Sequence, residues 1–131
     1  MKYLLLTLML ACCISLQAQQ TDSTYSEKFY TILLKLQTPF TDPANWTQQA
    51  ISTVQRHFLY YQEMEKKGDL LFGGRTDYKE DNPAMFGIIV FKASSTAEAE
   101  KVMKNDPAIT GGIMQGTVHP FVIAFGKPAE K

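Results

Sequence analysis

Arg56-His57-Phe58-Leu59-Tyr60-Tyr61-Gln62-Glu63-Met64-Glu65-Lys66-Lys67-Gly68-Asp69-Leu70-Leu71-Phe72-Gly73-Gly74 reads as the second half of an amphipathic helix, a glycine stop and a short strand. Upstream and within it, Trp46, Ala50, Val54, His57, Phe58, Tyr61 and Met64 recur at steps of three and four, which places them along one face of an α-helix. His57 therefore lies on the apolar stripe, the side a helix turns towards a sheet. Asp42 supplies a capping side chain and Pro43 a first-turn proline for the helix start. Lys66 and Lys67 sit at the negative end of the helix dipole, and Gly68 closes it.

The segments around this stretch supply the sheet. Residues 29–36 (Phe29 to Leu36) are rich in β-formers and stop at Thr38-Pro39. Leu70-Leu71-Phe72 is a second, short strand, and 73–83 is a polar, glycine- and proline-bearing mobile connection. Residues 85–91 form a third strand, apolar on both faces. Ser95 and Glu98 make a capping box for a second helix through Lys104, and Pro107 closes it. The last strand is expected over 118–125, again apolar on both sides. The order β-α-β-β-α-β is the ferredoxin-like α+β plan, a four-stranded antiparallel sheet with two helices on one face. Two helices leave the other face apolar and wet, so a homodimer packed through the helix-free face is expected.

The 131 residues carry 13 basic and 13 acidic groups. Lys2, an apolar run over 3–16 and Gln17-Ala18-Gln19 fit an export signal cleaved after residue 18. The run is short for a membrane helix, which needs about 20 apolar residues. Met9-Leu10-Ala11-Cys12 offers a lipoprotein signal as the alternative. Cleavage after Ala18 removes Cys12 and Cys13, leaving a thiol-free chain of 113 residues for the periplasm or exterior, with 12 basic against 13 acidic groups and a net charge of −1. One compact domain over 28–127 follows a flexible leader at 19–27, with a tail at 128–131. With no basic stripe, nucleic acid and anionic membrane are excluded as partners.

Three stretches together resemble the YCII-related family of small dimeric α/β-barrel proteins over about residues 29–125. They are Arg56-His57 through Gly68-Asp69-Leu70-Leu71 to Gly73-Gly74; Gly87-Ile88-Ile89-Val90-Phe91 with Ala97-Glu98-Ala99; and Asn105-Asp106-Pro107, Thr110-Gly111-Gly112 and Val118-His119-Pro120-Phe121. The resemblance implies a ferredoxin-like fold, a dimer, and a pocket with an acid/base dyad at His57 and Asp106, working on small ring compounds without a metal. Two positions depart from the family pattern. Gly74-Arg75 stands where a proline is common after the glycine of the second strand, and Ala108 where an aromatic follows Asp-Pro.

The chemistry of the residues supports more than one role. A neutral imidazole, with an ordinary pKa near 6.5, takes a proton at neutral pH, and an aspartate on its second nitrogen fixes its tautomer. His57 is equally explained as a packed core histidine, and Asp106 as the cap of the turn through Ala108-Ile109-Thr110. Arg75, His119 and Tyr61 are the candidate substrate contacts. Arg75 and Tyr78 lie in the polar connection, where a solvated loop is the competing explanation, and His119 is equally a packed or edge histidine. No close-spaced ligand pair supports a metal among His57, Asp106 and His119, and no cofactor is implied. Gly111 to Gly116 follows a helix and precedes a strand, the wrong order for a phosphate loop. The expectation is an exported, cofactor-free acid/base enzyme of lyase, isomerase or dehydrohalogenase type acting on a small cyclic or carbonyl compound. The alternatives are a non-catalytic dimeric module binding a small ligand and, by fold analogy, a cofactor-independent oxygenase.

Overall fold

The computed structural model describes residues 27–126. The export segment at 1–18 with both cysteines, the leader as far as 26, and residues 127–131 lie outside the described residues. The chain runs β1 (Phe29–Leu36), α1 (Gln48–Lys67), β2 (Leu70–Arg75), β3 (Gly87–Lys92), α2 (Thr96–Lys104), α3 (Pro107–Thr110) and β4 (Met114–Phe121). The four strands make one antiparallel sheet in the order β2-β3-β1-β4. This is the expected ferredoxin-like α+β fold, with the one-turn helix α3 added.

Register assigns the two faces of the sheet. Tyr30, Ile32 and Leu34 of β1 oppose Phe91, Ile89 and Gly87 of β3, and Val118 of β4 opposes Ile32. These side chains form the core with Tyr61 of α1 and Ala99 of α2, so both long helices cover this face. On the other face lie Phe29, Leu33, Val90, Phe72, His119 and Phe121. Among the described residues no helix is long and apolar enough to cross a membrane.

Helix α1 begins later than the sequence suggests. Asp42 does accept a hydrogen bond from Ala44 N–H, but it caps a one-turn 3-10 helix over Pro43–Asn45. Trp46 then leaves helical geometry, its indole N–H donating to Phe40 O at 2.9 Å, and Thr47 caps α1 proper by accepting from Ala50 N–H. The other end is as expected. Gly68 takes the left-handed conformation, φ 78°, that a side chain resists, and its N–H reaches Glu65 O. The buried stripe is Ala50, Thr53, His57 and Tyr61, while Phe58 is exposed.

Two strands differ from expectation for identifiable reasons. β2 continues through Gly73, Gly74 and Arg75, paired with Ile89, Ile88 and Gly87. A Cβ on Gly73 would come within 2.9 Å of Ile89 Cδ1, so absence of a side chain here serves packing rather than turning. The connection after it is closed by Thr76 N–H donating to Phe86 O and by the Thr76 hydroxyl donating to Ala84 O. β4 starts four residues before the expected 118, at Met114, and ends at Phe121. Gly116 sits opposite Leu34, and a Cβ there would come within 3.0 Å of both the Ile109 and Met103 side chains. The glycine that read as a breaker is what lets α2 and α3 close on the sheet. Val122 and Phe125 lie past the strand and are exposed. Pro120 is tolerated because β4 is an edge strand.

Candidate active site

His57 sits in the middle of α1 on the buried stripe and is 5 % exposed. Facing it is Asp106, between α2 and α3 and fully buried. Asp-Pro decides the local structure. Asp106 is extended (φ −62°, ψ 123°), Pro107 opens α3, and the Asp106 carboxylate caps that helix by accepting from Ala108 N–H at 2.8 Å. Gly111 completes the approach to α1, because a Cβ there would come 2.7 Å from Thr53 Cγ2 and 2.9 Å from Pro107 O. The capping role and the histidine-orienting role of Asp106 are thus one geometry.

Three groups converge on the Asp106 carboxylate. His57 Nδ1 lies 2.9 Å from each oxygen, the Tyr61 hydroxyl donates to Oδ2 at 3.2 Å, and Ala108 N–H donates to Oδ1. Since hydroxyl and amide both donate, the carboxylate accepts, which puts the imidazole hydrogen on Nδ1. Nε2 is then the nitrogen with a free lone pair. The ring is held edge-on by Tyr61 and Phe58, with centroids 5.1 and 5.2 Å away. Burial pushes the Tyr61 phenol well above its ordinary value of 10.0, and the neighbouring Asp106 charge and hydrogen bond push the same way. Tyr60, whose hydroxyl donates to Val102 O, is raised by burial and then by Asp106.

Beside the pair is a cavity of about 510 Å³ between α1 and the sheet, lined by His57, Tyr61 and Arg75 together with apolar groups from Leu34, Trp46 and Val54. Of the candidate residues, His57, Asp106 and Tyr61 meet in one cluster, and Arg75 reaches the same cavity from the end of β2. His119 does not join them. It is exposed on the helix-free face, opposite Thr31, with Nε2 3.1 Å from Thr117 Oγ1. The bond from Tyr61 to Asp106 went unforeseen, although the four-residue step from His57 to Tyr61 on one helix face is its signal. Glu80, from the polar connection, also lines the cavity, and its spacing carried no signal. Ala108 contributes its backbone N–H, which any residue but proline supplies, so the departure from the aromatic leaves the cap intact. Among the described residues no group of three or more His, Cys, Asp or Glu is placed to hold a metal ion.

A four-stranded antiparallel sheet with helices on one face defines a ferredoxin-like α+β protein, with a buried histidine–aspartate pair beside a cavity. The family model of the YCII-related domain matches residues 29–122, and the chain belongs to that family. Among solved structures it is similar to 5-chloro-2-hydroxyhydroquinone dehydrochlorinase from Burkholderia phenoliruptrix AC1100, in complex with 2,5-dihydroxybenzoquinone. The similarity is 19 % identity over 72 % of this chain and 93 % of that one, with a TM-score of 0.54. No curated protein matches.

The raised Tyr61 phenol links the site to alkaline stability. Below pH 10 the phenol is protonated in both folded and unfolded chains. Above it the unfolded chain loses the proton first, so stability falls with rising pH by up to about 1.4 kcal/mol per unit. Tyr61→Phe removes this contribution. Urea unfolding between pH 9 and 11 is expected to show a shallower decline for the variant than for the wild type, and parallel declines would contradict the placement of Tyr61.

Proposed function

We propose that this protein is an acid/base enzyme of lyase, isomerase or dehydrohalogenase type for a small cyclic or carbonyl-bearing compound, with His57 as base and Asp106 as its orienting partner. The observation that carries this is the buried His57–Asp106 contact at the wall of a cavity large enough for a ring compound. Nε2 takes a proton from a carbon activated by an adjacent carbonyl. The electron pair of the broken C–H bond forms a double bond, and either a leaving group departs with its own pair or the proton returns at another carbon. Asp106 stabilises the resulting imidazolium and keeps the ring from turning. The dehydrochlorinase function of the similar structure supports the reaction class. The Tyr61 ring forms part of the cavity wall, and its hydroxyl serves Asp106.

Two wider features belong to the same proposal. The lysine, apolar run and Ala18 at the start of the chain support export to the periplasm or exterior. On the helix-free face Phe29 and Val90 are buried while Leu33 and Phe72 stay 36 % and 50 % exposed, and this exposed part supports a homodimer that covers it.

Dimerisation is checked by analytical ultracentrifugation. A dimer is expected at micromolar concentration, dissociated by Leu33→Glu, and a wild-type monomer would contradict it. For catalysis, chloride release from chlorinated hydroxyhydroquinones and deuterium exchange into cyclic ketones report on proton removal from carbon. His57→Ala is expected to lower the rate by roughly 10² to 10⁴, the usual worth of a positioned base. A rate unchanged by His57→Ala overturns the assignment, and an inert wild type that still binds these compounds favours the ligand-binding alternative.

A further inference from the structure

Arg75 ends β2, and its position bears on what the cavity takes. Strand pairing puts Arg75 opposite Gly87, which is itself opposite Leu34, a core residue of the helix-covered face. Arg75 therefore belongs to the sheet face that α1 covers, on the side His57 occupies. Because Gly87 has no side chain, the arginine has no cross-strand side chain to lie against on β3. The side-chain-free backbone of Gly73, Gly74 and Gly87 forms part of the cavity wall.

The guanidinium is anchored without being neutralised. Its Nη1 donates to Tyr78 O at 2.9 Å, which directs a planar group while leaving further N–H donors. Among the described residues it makes no ion pair within 4.0 Å, although Glu80 lines the same cavity. Lys35 and Glu65 line it too, so the four charges sum to zero. Overall potential therefore does not choose the ligand's sign, and the fork geometry does. An arginine fork pairs with a carboxylate in two parallel hydrogen bonds. The two glutamates disfavour a second negative group.

We propose that the cavity takes an organic monoanion, a flat apolar body bearing one carboxylate, with Arg75 holding the carboxylate and the ring lying over the glycine backbone towards His57. The proposal rests on the cavity being the ligand site proposed above, and it adds the charge and orientation of the ligand. It does not depend on catalysis.

The test is calorimetric titration of 2-naphthoate and its neutral counterpart 2-naphthamide into the full protein. The wild type is expected to bind naphthoate about tenfold more tightly, the low end for a charge-assisted pair at an exposed arginine and equal to about 1.4 kcal/mol. Arg75→Met is expected to equalise the two, and naphthamide binding that persists shows that the variant folds. If it loses naphthamide binding as well, Arg75→Lys decides, and a reduced preference supports the proposal while an undiminished one overturns it. Equal affinities in the wild type, no binding of naphthoate, or a preference that survives Arg75→Met would overturn it. His57→Asn is expected to keep the naphthoate preference, so failure of the catalytic assignment and failure of the anion site give different results.

Discussion

The contact between His57 and the Asp106 carboxylate organises the molecule. Two polar side chains on α1 and one backbone amide of α3 share a carboxylate that no water reaches. Each donor comes from an element that must be correctly placed before the contact forms. Desolvating such a pair is costly, and replacing buried ion pairs with apolar residues of similar volume is often neutral or stabilising. Packing alone would be satisfied by leucine and methionine at these positions. Packing therefore does not account for the pair, and hydrogen bonds to both carboxylate oxygens offset part of its burial.

The cavity follows from where side chains are missing. Gly73 and Gly87 remove bulk from the β2 end of the helix-covered face, whereas Gly116 at the other edge lets Ile109 and Met103 close down. The sheet is thus packed tightly under α2 and α3 and left open under α1. His57 lines this opening, and α1 keeps one aromatic, Phe58, exposed at its wall. Antiparallel pairing fixes which glycine does which, since a one-residue slip would put Arg75 on the opposite face.

The fold was legible because periodicity and punctuation agreed. The stripe through Ala50, His57 and Tyr61, the Gly68 stop and the Ser95 cap each appear in the structure where the residues placed them. The boundaries that shifted did so where glycine and apolar runs are ambiguous. Gly73-Gly74 and Gly116 have strand roles set by neighbours distant in sequence, and the apolar run after Phe121 has no partner strand among the described residues. Within the site, His57 stood out on its stripe and Asp106 was named through the family resemblance. The Tyr61 bond and the Glu80 contact arise only when α1 meets the 106–108 turn and the connection after β2, geometry that no local pattern encodes. His119 was singled out for its residue type, but β4 register sends it to the other face.

The most direct measurement is the tautomer of His57 by long-range ¹H–¹⁵N NMR at pH 8. With Asp106 accepting from Nδ1, the expected spectrum shows a protonated Nδ1 and a pyridine-like Nε2, converted by Asp106→Ala to a mixture. A wild-type ring protonated on Nε2, or one insensitive to Asp106→Ala, would contradict the arrangement on which the proposed base depends.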